Sequence, residues 1–326
     1  MPFDADVLIS KLRARVFAIG PGEARFDRRG FPAAGSFARE RLEGAGRSFI
    51  SGYTLAITDP PLSKLTAALD DLEPLWRGFA YEGAAMALEL LDRTSRGRDR
   101  FRQFVYGPAA HHIYLTYVGA GWAFAVLPWR RYYIQSAIEA MQRPLKWLVL
   151  DGYGFHEGYF RPNRSIRKQR RPRHLSGYAL HAFDQGLGRC LWFFSGADPA
   201  RAAQNIASFA AERRADLWSG VGLACCYAGG CPVEDIHHLR DLSGEWGAHL
   251  AQGAVFAAKA RALSSTVISE TEESCSILAG LSVADAERLA DSALGACCDA
   301  VVADVYEQWR ARIRAAWKQS ARAVRA

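Results

Sequence analysis

The segment LEGAGRSF at residues 42–49 returns as DQGLGRCL at residues 184–191, and PLWRG at 74–78 returns as DLWSG at 216–220. The two pairs share one offset of 142 residues. A unit of about half the chain is longer than the roughly 20 to 50 residues of common solenoid repeats, and it fits two related halves. The duplication therefore predicts two units that pack as a pseudo-symmetric pair.

Apolar residues recur at helical spacing within these units. Leucines follow one another at three- and four-residue intervals in residues 61–72, as they do on one face of a helix. Asp59 and Asp198 each precede a proline, and Ser282 precedes Asp285 by three residues. Both patterns are typical of helix N-termini.

Two apolar stretches also suggest strands, LTYVGAGWAFAV at 115–126 and KWLVLDGYGF at 146–155. The repeat counterpart of the first, at residues 248–263, has a helical pattern, so we expect helix in both. The glycine-rich stretch at 220–230 follows no strand and lacks GxGxxG spacing, so close helix packing explains it better than a dinucleotide-binding loop. The sequence thus predicts a mainly α protein made of two all-helical halves.

The composition limits the class of protein. Half of the 326 residues are apolar, which is enough for a large core, and no apolar run reaches 18 residues. The N-terminus mixes charges where a signal peptide needs an apolar stretch, so we expect a soluble, cytoplasmic protein without a transmembrane segment. Seven cysteines, with adjacent pairs at 225–226 and 297–298, suit neither a disulfide framework nor a CxxC zinc site. Buried thiols are the favoured interpretation.

Charge suggests a division into four parts. We expect a first half at 1–160, a basic junction loop at 161–176, a second half at 177–300 and a basic amphipathic helix at 301–326. Seven of the thirteen residues at 161–173 are Lys or Arg. A solvated loop explains them best, and an acidic partner such as an acyl carrier protein also fits. Nucleic acid is disfavoured because no nucleic-acid motif accompanies the charge.

The last helix places Trp309, Ile313 and Trp317 on one face. Such a face usually docks a helix on its own domain, and peripheral contact with a membrane or a partner is the less common use. The chain contains no GxSxG elbow, HExxH pair or P-loop. The familiar hydrolases and nucleotide enzymes are therefore disfavoured.

Polar residues present in only one half are candidates for function. Glu82 lies in an apolar helix where the other half has Ala224, so its carboxyl is either paired or shifted in pKa. A salt bridge to a scaffold arginine is an equal alternative. Arg47 and Arg189 are instead present in both halves, each after Gly-x-Gly, so we expect them to support the shared scaffold by bonding helix-end carbonyls or an acid. Asp184 is a further candidate acid.

The densest acid-base cluster is LDGYGFHEGYF at residues 150–160, which contains Asp151, Tyr153, His156, Glu157 and Tyr159. A histidine beside an acid can act as a general acid or base. A metal site for iron, manganese or zinc is a weaker alternative, since the Glu-x-x-His spacing is absent. Its ligands would be Glu82, His111, His112, His156 and Glu157. A turn that ties the halves together is the structural alternative.

Six segments give the chain a family resemblance. They are RGFAYEGAAMA, HHIYLTYVGAGWA, WLVLDGYGFHEGYF, HLSGYALHAFDQGLGR, RRADLWSGVGLACCYAGG and GAHLAQGAVFAAKAR. In this order they resemble a bacterial family catalogued as domain of unknown function 1702. Genes of that family accompany enediyne and related polyketide biosynthesis, so the resemblance implies a pathway. It implies no catalytic residues.

These observations favour an enzyme that acts on an apolar polyene or polyketide intermediate in a cavity between the halves. Cyclisation, isomerisation and oxidative tailoring are open, by acid-base or metal chemistry. The candidate catalytic residues are Glu82, Asp151, His156, Glu157 and Asp184. The candidate substrate-binding residues are Arg47, Arg189, Tyr153, Tyr159 and Trp122. The alternative is a non-catalytic binding or assembly protein that shields the intermediate or docks on a polyketide synthase.

Overall fold

The computed structural model describes residues 15–32, 35–95, 99–127, 133–139, 141–142, 144–297 and 305–323. Its α-helices are α1 (Phe26–Arg29), α2 (Ser36–Ile57), α3 (Leu62–Asp70), α4 (Pro74–Thr94), α5 (Arg100–Val105), α6 (Ile113–Val126), α7 (Ile134–Ile138), α8 (Trp147–Phe160), α9 (Tyr178–Phe194), α10 (Pro199–Ala207), α11 (Ala211–Ala228), α12 (Val233–Leu242), α13 (Gly247–Leu263), α14 (Ser269–Ala279), α15 (Val283–Gly295) and α16 (Val305–Ala323). These ranges contain no strand. The predicted mainly α class is confirmed, including helix at both stretches that suggested strands.

Long helices pack side by side in the order of the chain, namely α2, α4, α6, α8, α9, α11 and α13. Neighbours run in the same direction. Between α9 and α11, for example, His181 contacts Asp216 near the N-terminal ends, and Trp192 contacts Gly229 near the C-terminal ends. Shorter helices lead the chain back between most of the long ones, and a π-helical turn at Asn163–Arg167 does so between α8 and α9.

The row of long helices curls until its two ends meet. Tyr227 of α11 packs its ring against Phe79 of α4, with ring centroids 5.3 Å apart. Arg261 of α13 donates hydrogen bonds to the carbonyl oxygens of Pro74 and Leu75 at the start of α4, at 3.1 and 3.3 Å. The long helices therefore surround an interior space.

Glycine pairs lie where the long helices cross. A Gly-x-Gly pair occurs in α6, α8, α9 and α11, and in each the first glycine faces the preceding long helix and the second faces the following one. A Cβ at any of these eight positions would lie 1.7–2.2 Å from a carbonyl oxygen of the neighbour. Only glycine lets backbones approach this closely. The prediction of close helix packing at glycine-rich segments is confirmed.

The crossings recur at a short interval. Gly119, Gly152, Gly186, Gly220 and Gly253 follow one another at 33 or 34 residues, and each faces the preceding long helix. One interval holds one long helix and its return segment, a length typical of solenoid repeats. The segments matched at 142 residues lie four long helices apart, on α2 and α9 and on α4 and α11. Their pairing into two symmetric halves stays a prediction, as do the domain boundaries.

Two of the three predicted helix starts are confirmed. The side chains of Asp198 and Ser282 each accept a backbone N–H of the first turn of their helices. The third prediction, at Asp59, is wrong, because α3 begins at Leu62 and Pro61 occupies its N-cap position. The Asp59 carboxylate instead forms an ion pair with Arg100 at 2.7 Å. The Arg100 guanidinium is buried and therefore needs a counter-charge.

The C-terminal helix α16 packs on α13 and buries Trp309 and Ile313. Its Arg310 is also buried and donates to Asp216 at 2.7 Å. The described cysteines are free thiols, and all but Cys231 are buried, as predicted. Residues 1–14, 298, 301–304 and 324–326, on which parts of the predictions fall, lie outside the described residues. None of the described helices combines the length and hydropathy needed to cross a membrane.

Candidate functional site

The interior space contains a cavity, here called the main chamber. Its wall comes from α2, α4, α6, α8, α9 and α11, and from the segment before α1. Aromatic rings dominate the wall, contributed by Phe49, Phe79, Trp122, Phe155, Tyr159, Phe160, Phe193 and Tyr227. Apolar pockets with a few polar groups are the common form of small-molecule sites.

Glu82 brings a carboxyl group into this apolar wall. The side chain is 3% exposed, and its Oε2 lies 3.9 Å from the nearest guanidinium nitrogen of Arg189. Burial raises the pKa of Glu82 to about 7, although the Arg189 charge opposes the increase. Such a carboxyl can both give and take a proton near neutral pH.

Arg189 is held mainly by a second carboxylate. Its Nη1 donates to Asp151 Oδ1 at 2.5 Å, and Gln185 Nε2 donates to Asp151 Oδ2 at 2.8 Å. All three side chains are buried. The charges of Arg189 and Asp151 therefore compensate each other, so Glu82 is the carboxyl of this group that is left without a close partner.

Hydrogen-bond donors also line the chamber. Tyr227 Oη and Arg189 Nε are buried and have no hydrogen-bond partner in the part of the chain that the structure describes. The Trp122 indole N–H faces Glu82, but the contact falls short of a well-formed hydrogen bond. Buried polar groups are nearly always satisfied, so unsatisfied donors in a cavity suit a ligand that brings an acceptor oxygen.

One end of the main chamber is closed by the segment before α1. The hydroxyl of Tyr159 contacts the carbonyl oxygens of Glu23 and Ala24 there, at 3.3 Å. Ile19, Glu23 and Phe160 line the chamber on one side and an open surface cleft on the other. These three residues therefore stand between the chamber and the outside.

His156 lies in the outer cleft and not in the chamber. Its ring packs against Trp122 and Phe160, and burial lowers its pKa. Glu157 pairs with Arg161 at 2.5 Å. The predicted His156 and Glu157 couple is thus separated from Glu82 by the aromatic wall.

Several other predicted residues also lie outside the chamber. Asp184 is fully buried between two arginines, Arg171 and Arg213. Tyr153 packs against the ring of His174. Arg47 is half-exposed beside Glu43 on an open groove, with 3.8 Å between the charged groups. Of the predicted residues, the chamber brings together Glu82, Arg189, Trp122 and Tyr159.

The predicted metal ligands are not assembled. His111 is exposed, whereas His112 is buried with its ring stacked on Tyr81, at 3.9 Å between centroids. Among the described ranges, no three His, Cys, Asp or Glu side chains are grouped as metal ligands would be. The structure therefore does not group Glu82, His111, His112, His156 and Glu157 among the described residues.

Sequence reasoning missed Tyr227 and Leu223, which line the chamber from α11. A signal existed for Tyr227. Its hydroxyl occupies the space above Gly78 of α4, 1.9 Å from where a Cβ would lie, so Gly78 leaves the space that Tyr227 fills.

The pKa of Glu82 predicts a pH-dependent stability. A carboxyl whose folded pKa is raised from 4.5 to about 7 binds its proton more tightly when folded, so the unfolding free energy falls as pH rises through this window. At 1.36 kcal/mol per pH unit the fall is about 3 kcal/mol. We expect Glu82→Gln to remove it. Urea unfolding at pH 5 and pH 8 measures this, and parallel pH profiles of the two proteins would contradict it.

The fold and the cavity define an all-α protein in which parallel helices enclose an apolar chamber that contains the Glu82 carboxyl, whose pKa is raised by burial. A family model described as Protein of unknown function (DUF1702) matches residues 8–317. The chain belongs to this family. No curated protein and no solved structure matches it significantly.

Proposed function

We propose that the protein is an enzyme that binds an apolar, unsaturated carbonyl compound in the main chamber and shifts its double bonds by proton transfer through Glu82. One observation carries this proposal. A carboxyl with a pKa of about 7 lies in an aromatic chamber that also holds unsatisfied hydrogen-bond donors. Enolisation requires a base whose pKa is near the working pH and hydrogen-bond donors that stabilise the oxyanion.

The steps follow from the groups present. The Glu82 carboxylate removes a proton from the carbon beside the carbonyl, and the electron pair of that C–H bond moves into the carbonyl to give an enolate. The donors Tyr227 and Trp122 stabilise the enolate oxygen, as does the Arg189 charge. The Glu82 carboxyl then returns the proton to a more distant carbon. One double bond has moved, and the step balances without an oxidant or reductant.

We further propose that the ligand is a polyketide or polyene intermediate of specialised metabolism, such as enediyne biosynthesis. Membership in the family and the apolar wall support this class of ligand. Ring closure of the same chain would use the same proton donor.

A linear β,γ-unsaturated ketone in D2O tests the reaction. Absorbance follows conjugation and NMR follows deuterium incorporation. We expect the wild-type protein to accelerate both, and Glu82→Gln to lose at least about 100-fold in rate while ketone affinity stays within a few-fold. Glu89→Gln is the matched control, since Glu89 is buried on the same helix but pairs with Arg93 outside the chamber. Equal rates in wild type and Glu82→Gln would sink the proposal.

A second candidate is an assembly protein that shields the intermediate and docks on an acidic carrier domain. Arg164, Lys168, Arg170 and Arg173 between α8 and α9 are exposed and form no ion pair with any described residue. Carrier binding that weakens with salt and is lost in the double variant Arg164→Glu/Arg170→Glu, together with ketone binding but no turnover, would favour this function.

A further inference from the structure

A second cavity lies on the far side of Arg189 and has no role in the proton transfer described above. We call it the rear chamber. Its wall comes from the N-terminal parts of α6 and α8 and from α9, α11, α13 and α16. Apolar side chains again dominate, namely Tyr114, Leu115, Val118, Leu148, Leu223, Phe256, Ala257, Tyr306 and Trp309.

Three side chains border both chambers. They are Arg189, Leu223 and Tyr227, and we call them the waist. The unsatisfied donors described above, Tyr227 Oη and Arg189 Nε, belong to two of these side chains. Hydrogen-bond donors at the waist would hold an acceptor oxygen between two apolar spaces.

Each charged side chain that the described residues contribute to the rear chamber has a counter-charge. Asp151 accepts one hydrogen bond on each oxygen, from Arg189 and from Gln185. Lys259 ion-pairs with Glu287 and Asp291 of α15, at 3.0 and 2.8 Å. A charged ligand group would find no free partner there, whereas an alkyl or polyene segment would gain from burial.

Helix α16 supplies one side of the rear chamber, through Tyr306 and Trp309. Trp309 packs against Phe256 of α13 with 4.5 Å between ring centroids, and its indole N–H donates to the carbonyl oxygen of Ala290 at 2.8 Å. The Tyr306 hydroxyl accepts a hydrogen bond from Gln185 at 3.0 Å. These contacts hold both rings in place on the wall.

From this geometry we propose that the substrate is a long, unbranched chain with an internal carbonyl. The carbonyl lies at the waist, one apolar segment fills the main chamber beside Glu82, and the other extends into the rear chamber, whose depth sets the accepted length. This inference rests on the proposed function, and it names the shape of the substrate.

Calorimetric binding of saturated linear ketones with the carbonyl at mid-chain tests it. We expect affinity to rise about fourfold per added methylene until both chambers are filled, and then to fall. Ala257→Phe fills the rear chamber and should weaken the longest ketones at least about tenfold while leaving short ones unchanged. Ala224→Phe, the matched variant in the main chamber, should weaken ketones of every length.

Phe256→Ala provides an independent test of the chain-length preference if Ala257→Phe folds poorly. It deepens the rear chamber, so the preferred chain should become longer. Equal weakening of short and long ketones by Ala257→Phe, or an unmoved length preference in Phe256→Ala, would overturn the rear-chamber inference alone. If no ketone of any length binds the wild-type protein, the proposed function fails as well.

Discussion

Replacing Gly152 with alanine is expected to destabilise the protein by about 3 kcal/mol or more. Gly152 lies at the centre of α8, and the new Cβ would stand 1.9 Å from the carbonyl oxygen of Val118 in α6. A rigid backbone atom cannot move aside as a side-chain tip can. The two helices must separate, and because α8 also touches α9 through Gly154, that second crossing is disturbed too.

Gly295→Ala is the matched control for this prediction. Gly295 ends α15, and no atom lies within 4 Å of the position of its Cβ. Alanine has the higher helix propensity, so this variant should be neutral or gain up to about 1 kcal/mol. Urea unfolding of both variants measures the difference. Equal stability of Gly152→Ala and Gly295→Ala would show that the backbones are not in contact at the α6–α8 crossing.

Arg189→Met should cost about 3 to 5 kcal/mol of unfolding free energy, because it leaves Asp151 as a buried carboxylate without a cation. Asp151 is 1% exposed, and its other hydrogen bond comes from a neutral amide, Gln185. Loss of the Arg189 charge also removes the larger of the two effects that lower the pKa of Glu82, so this pKa should rise further.

The double variant Arg189→Met/Asp151→Asn distinguishes a charge effect from a packing effect. Removing both charges eliminates the unpaired carboxylate, so the double variant should recover much of the stability that the single variant loses. Denaturant unfolding at pH 7 measures both. A double variant as unstable as Arg189→Met would mean that the methylenes of Arg189, and not its charge, hold the waist.

Helical periodicity and capping signals were sufficient to predict the class of fold. Interpreting the glycine-rich segments as packing sites was also correct, since glycine in a helix without a turn has few other uses. The interval of 33 or 34 residues was missed because little besides the glycines repeats; the residues on either side of Gly119, for example, differ from those on either side of Gly152. A backbone contact fixes only one or two positions in each unit. Two matching residues in about 34 are too few to be recognised as a repeat in the sequence.

The candidate site was predicted in part. Glu82 stood out because a carboxyl in an apolar helix needs an explanation, and its chamber supplies one. His156 and Glu157 follow the acid-base pattern equally well in sequence, yet one helix presents adjacent residues about 100° apart. Periodicity alone does not say which face of α8 meets the interior when both faces are apolar. Tyr227 was missed because its task depends on Gly78, 149 residues earlier.

The contacts between neighbouring long helices are not of the same kind all around the ring. Six successive junctions, from α2 to α13, bring backbone against backbone, whereas the ends of the row are joined by reaching side chains, such as Arg261 to the start of α4 and Arg41 to Glu270. The ring therefore has six rigid junctions and one junction that is held by side chains. An opening motion large enough to admit a bulky ligand should occur at that one junction, because changes of side-chain rotamer can open it without any movement of the backbone.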